Sequence, residues 1–220
     1  MSIALAIAVL VGFAPTYYLH GSLGAANELT PALHWHGAAF TTWMLLLVTQ
    51  TSLIAARRVD LHRMLGVAGA ALGVCMMVLG YYVAITRMAD GTFVSPPGTP
   101  RYSFLAFPLA SVVVFPILFG TALWYRKRPD IHKRLVLIAT MELATAALAR
   151  WPVLGALGPF AFFPATDAFL AALVVYDLAT LKRVHAATLW GGILLVATQP
   201  LRVLIGFTPQ WDAFAGWIIS

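Results

Sequence analysis

Three histidines share one local setting. RRVDLHRMLG (57–66) carries His62, RKRPDIHKRL (126–135) carries His132, and KRVHAATLWGG (182–192) carries His185. Each follows a cluster of basic residues and opens an apolar run. A histidine in the first turn of a helix sits near roughly half a positive charge, which disfavours imidazolium. The neutral ring that results is the form that binds a metal. Two of the three could serve as axial ligands of haem b, with Arg63 and Arg134 near its propionates. Alternatively, all three with Asp177 or a water could hold Zn²⁺ or iron, and zinc-bound water would then be a nucleophile. The plain alternative is three interfacial histidines bonded to loops or lipid headgroups. A second group, His20, His34 and His36, lies toward the other side. His34 and His36 are about 160° apart on a helix, so LHWHG alone is a weak ligand pair. An outer haem on His36 with His20 or His34 is a weaker possibility. His36, Trp43 and Gln50 share one face.

Ionisable residues inside apolar runs point to function by default. Asp167, Arg150 and Arg202 are expected to neutralise one another in an outer network. Glu142 has no basic residue one turn away, which leaves it either protonated or paired with another helix. Below His62, Gly66, Gly69, Gly73 and Gly80 fall within about 40° of one line. Such a stripe serves close helix packing, or leaves room for a flat cofactor. Cys75 is alone, so no intrachain disulfide or multi-cysteine site can form; it is expected to be a buried packing residue.

The elements that must position these residues follow from composition. The chain has 220 residues, 61% of them hydrophobic and 10% charged, against about a quarter charged in soluble domains. This is the composition of an all-α, polytopic membrane protein. Seven spans can be drawn at about 2–20, 33–56, 61–88, 103–125, 131–151, 163–181 and 185–207, each near the roughly 20 residues a crossing needs. They form a single domain over 1–220, with residues 208–220 as a short interfacial tail carrying Trp211 and Trp217. GSLGAANELTP, DGTFVSPPGTP and PVLGALGPF read as turns. Asp60 and Asp130 are expected to cap the helices they precede. Ten of the fourteen Lys and Arg fall at the second, fourth and sixth connections. The positive-inside rule then places the N-terminus inside and the C-terminus outside. The N-terminal run lacks a basic n-region and an A-x-A-like cleavage site, so it reads as the first span and not a signal peptide.

The net charge of +6 is accounted for by these loops, and no stretch interleaves basic with aromatic residues as nucleic-acid binding would need. G-x-S-x-G, P-loop, G-x-G-x-x-G and H-E-x-x-H motifs are absent. The last span has no lysine for a retinal Schiff base.

The stretches GFAPTYYL, LTPALHWHGAAFTTWMLLLVTQTSLIA, VDLHRMLGVAG, RPDIHKRLVLIAT, ALARWP and VHAATLWGGILLVATQPLR resemble a family of bacterial multi-pass membrane proteins of unknown function. The likeness covers nearly the whole chain. The matching positions are Tyr17, His34, His36, Gln50, His62, Arg63, His132, Arg150, His185, Gln199 and Arg202, with Glu142 as an acidic residue upstream of ALARWP. The resemblance implies a bacterial inner membrane location and says nothing of activity. The chain is more loosely similar to the ascorbate-reducible two-haem cytochromes b, whose histidines pair across the bundle. It departs from them in having three histidines toward each side. Three functions follow as expectations: a haem b redox protein, a metal-dependent membrane enzyme, or a non-catalytic accessory subunit contacting a membrane-protein partner or a second copy of itself.

Overall fold

The computed structural model describes residues 1–22, 29–93, 95 and 98–220. Among these the chain is all-helical, 83% helix without strands. The helices are α1 (Ser2–Phe13), α2 (Pro31–Ala55), α3 (Val59–Ala89), α4 (Ala106–Trp124), α5 (Pro129–Leu148), α6 (Pro152–Leu157), α7 (Pro159–Leu181), α8 (Ala186–Gly206) and α9 (Pro209–Ile219). Five segments are long and apolar enough to cross a membrane: Pro31–Ala55, Val59–Ala89, Ser103–Trp124, Ala161–Leu181 and Ala186–Gly206. The backbone groups of such helices are satisfied internally, as a bilayer requires. Parts of two expected turns, residues 23–28 and residues 94, 96 and 97, lie outside the described residues.

Two of the seven drawn spans differ from the rest. The first is short: α1 passes into a π-helical turn at Ala14–Tyr18, and the apolar helix Ser2–Tyr18 remains under 18 residues. The Leu19 amide reaches back to the Ala14 carbonyl at 2.7 Å, next to Pro15, which has no N–H to donate. That turn aims Tyr17 across Gly37 and lets the Tyr18 hydroxyl meet Thr41 Oγ1 at 2.8 Å. The second is α5, which carries Asp130, Lys133, Arg134 and Glu142. It packs against α1, α4, α7 and α8, and residues 138–145 are buried without a break. A helix walled by protein on several sides can hold charges, provided neighbours supply partners. By contrast, α2 and α3 leave Leu45, Val67, Val74 and Val78 exposed, as lipid-facing helices do.

Four local expectations change. Asp60 and Asp130 do not cap. Helices α3 and α5 begin one residue before them, at Val59 and at Pro129, with Arg58 and Arg128 in the cap positions. The two aspartates instead sit in the first turn, where their negative charge complements the positive end of the helix dipole. PVLGALGPF is not simply a turn but includes α6, closed by Gly158 at φ 67°. Cys75 is exposed on α3 rather than buried. The tail is a helix, α9, capped by Thr208. It buries Ala215 against Ala84, Met88 and Leu105, and Trp211 Nε1 donates to the Tyr102 carbonyl at 2.9 Å.

Contact between α1 and α5 depends on a missing side chain. A Cβ on Gly12 would lie 2.2 Å from the Ala147 carbonyl oxygen. Gly12→Ala is therefore expected to force the helices apart and cost about 1–3 kcal/mol. Thermal unfolding in detergent reads this directly; an unchanged Tm would show that α1 does not depend on the close approach.

Candidate functional site

At one end of the bundle, the first turns of α3 and α5 bring His62 and His132 together. Their ring centroids are 6.3 Å apart and the planes cross at 83°. His132 Nδ1 lies 2.8 Å from the Ala122 carbonyl oxygen in the last turns of α4. A carbonyl only accepts, so Nδ1 carries a proton and Nε2 is the nitrogen that can offer a lone pair in the neutral ring. A backbone carbonyl fixing one ring nitrogen is how ligand histidines are commonly oriented. Gln50 Nε2 donates to the His62 carbonyl at 3.2 Å. Among the described residues, His62 Nδ1 and Gln50 Oε1 are buried without a partner.

His185 does not join them. Positions 130 and 134 share one face of α5, and position 132 lies about 160° from position 134. His132 accordingly reaches α4, while Asp130 and Arg134 face α7 and α8. His185 caps α8: its Nδ1 accepts from the Ala187 amide at 3.1 Å, and its Nε2 meets Asp130 Oδ2 at 3.1 Å. Asp177 is occupied as well. Its Oδ1 accepts from Arg134 Nε at 2.9 Å and from a second guanidinium nitrogen. Its Oδ2 accepts from the His185 amide at 3.1 Å and the Thr188 hydroxyl at 2.6 Å. The expected centre of His62, His132, His185 and Asp177 therefore does not assemble. Similar depth along the helices was not enough, because the azimuths differ. Among the described residues no group of three or more His, Cys, Asp or Glu could hold a metal ion. Arg134 is buried on Asp177 and does not stand over the histidine pair, whereas Arg63 is exposed beside His62.

The glycine face of α3 is filled by neighbours. Leu46 lies 2.9 Å from a Cβ placed on Gly69, and Phe119 2.8 Å from one on Gly73. Gln50 Nε2 stands against Gly66 and His36 Cε1 against Gly80. The polar line of α2 thus packs along the glycine line of α3, which makes the stripe a packing surface and not a cofactor groove. Trp43, in the same line, donates Nε1 to Thr140 Oγ1 at 3.3 Å. At the far end, His36 stacks on Phe40 at 4.4 Å, and its Nδ1 is buried without a partner among the described residues. His34 is exposed, and its carbonyl accepts from the Tyr17 hydroxyl at 3.2 Å.

The buried charges pair differently from the expected outer network. Arg202 donates to Glu142 Oε1 at 2.7 Å, with both side chains almost fully buried. Ser111 donates to the same oxygen at 2.7 Å. Asp167 is met by Gln199 Nε2 at 2.8 Å. Arg150 lies over the Phe13 ring at 4.6 Å and donates to the Ala146 carbonyl. Glu142 thus pairs with another helix, the second of the two options its sequence context left open. Ser111 was missed, yet it is the one polar side chain between residues 106 and 120, and that isolation was a readable signal. Thr188 and the capping role of His185 gave none, because they depend on where α7 ends.

Five helices that can cross a membrane, around a core of buried ion pairs, define a helical membrane protein. No protein-family model, curated protein or solved structure matches the chain.

Proposed function

We propose that the protein is a seven-span bacterial inner-membrane protein that holds one haem b between His62 and His132. The two further spans are the short α1 with its π turn and the protein-walled α5. Clustering of basic residues at the starts of α3, α5 and α8 favours an internal N-terminus and an external C-terminus. The same motifs support kinship with the bacterial family of unknown function that the chain resembles.

The observation that carries the haem reading is the donor set. Two histidines converge and the third is held elsewhere. Two histidine donors would suffice to hold haem b, whereas a catalytic zinc site would commonly need three protein ligands. The Ala122 carbonyl orients His132, and among the described residues His62 Nδ1 has no partner. Arg63 remains available for a propionate. When bound, the haem would supply one-electron transfer, and the chain supplies ligand orientation.

Optical spectra of protein from haem-replete cells test this. Reduction should sharpen α and β bands, and His62→Ala or His132→Ala should each abolish them. His185→Ala and His36→Ala should retain them. A featureless wild-type spectrum would reject the proposal.

A further inference from the structure

A cleft of about 410 Å³ opens at the same end of the bundle, between α5, α7 and the start of α8. Its charged lining comes from Asp130, Lys133, Arg134, Arg183 and His185. Arg134 is neutralised from behind by buried Asp177. Asp130 is engaged by His185. Lys133 and Arg183 are left: among the described residues neither is ion-paired, and Lys133 rests 5.5 Å from the centre of the Tyr176 ring. Lys182, at φ 58°, ends α7 in the left-handed conformation and turns the chain toward this cleft. The wall is not wholly polar, since Tyr176 and Leu181 line it and are exposed.

We propose that this cleft binds a phosphate-bearing anion, with the headgroup phosphate of an anionic phospholipid as its source. Arg183 offers a planar fork of donors that matches phosphate oxygens, and Lys133 offers a mobile point charge. The tyrosine and leucine give the glycerol and first acyl carbons an apolar surface. A soluble phosphate would use the same two cations and leave that wall uncovered. General attraction of basic loops to an anionic leaflet does not require a cleft. A built site differs by saturating and by depending on which cations are removed. The inference is independent of haem, because its readout is lipid-dependent stability and not a spectrum.

The test is thermal unfolding of the full chain in neutral detergent, titrated with phosphatidylglycerol, phosphatidylcholine or inorganic phosphate. Phosphatidylglycerol should raise Tm saturably, by about 5–10 °C at a hundredfold excess over Kd, and phosphatidylcholine should not. Lys133→Ala/Arg183→Ala should abolish the rise. Arg126→Ala/Lys127→Ala removes the same charge from exposed positions at the same bundle end and should preserve it. Protection by inorganic phosphate that disappears in the Lys133/Arg183 variant would assign the site to a soluble phosphate. Equal protection by phosphatidylcholine, persistence in that variant, or equal loss in the control pair would overturn the proposal.

Discussion

Asp177→Leu is expected to lose about 3–5 kcal/mol of stability, because it leaves the Arg134 guanidinium buried without its counter-charge. Asp177 binds three elements at once: Arg134 of α5, Thr188 of α8 and the amide of His185 in the turn before α8. Every one of those donors is aimed at it. Adding Arg134→Met should recover only part of the loss. The Thr188 hydroxyl and the His185 amide would still lack an acceptor, and each buried unsatisfied group costs about 1–3 kcal/mol. Equilibrium unfolding in mixed micelles of the two single variants and the double variant measures this. Full recovery in the double variant would show that the Arg134 charge alone mattered and that the Thr188 and His185 bonds contribute nothing.

The helices were legible in the sequence because apolar length is a strong signal, and basic clusters mark where hairpins turn. Azimuth was not legible. His62, His132 and His185 begin their helices in the same way, yet only two can meet. Which face of α5 carries position 132 relative to its neighbours is decided by packing against α4, α7 and α8 together. Glu142 shows the same limit. Its sequence neighbours include no base, and its partner lies 60 positions away on α8. The expected triad of Asp167, Arg150 and Arg202 assumed that residues at one depth pair with one another. Instead, Gln199 satisfies Asp167, and Arg150 turns out over Phe13. The glycine stripe was legible as a stripe, but its meaning needed the side chains opposite it. Leu46 and Phe119 pack directly against Gly69 and Gly73.

The second large effect has the opposite sign in its double variant. Glu142 and Arg202 are as buried as Asp177 and Arg134, so Glu142→Leu or Arg202→Met alone should each cost about 3–5 kcal/mol. Yet this pair is incompletely satisfied. Glu142 Oε1 accepts from both Ser111 and Arg202, while Glu142 Oε2 and Arg202 Nε have no partner among the described residues. Desolvation without full hydrogen bonding makes such a pair a net burden. Combining Glu142→Leu with Arg202→Met should therefore be neutral or stabilise by about 1–4 kcal/mol. The Ser111 hydroxyl does not reverse the sign, because without Glu142 its single proton can turn to the Phe107 carbonyl, 3.3 Å away. Mixed-micelle unfolding of the double variant decides the matter: a loss as large as either single variant would mean that the unpartnered atoms are satisfied by bound water. A gain would show that the pair is a net burden on stability.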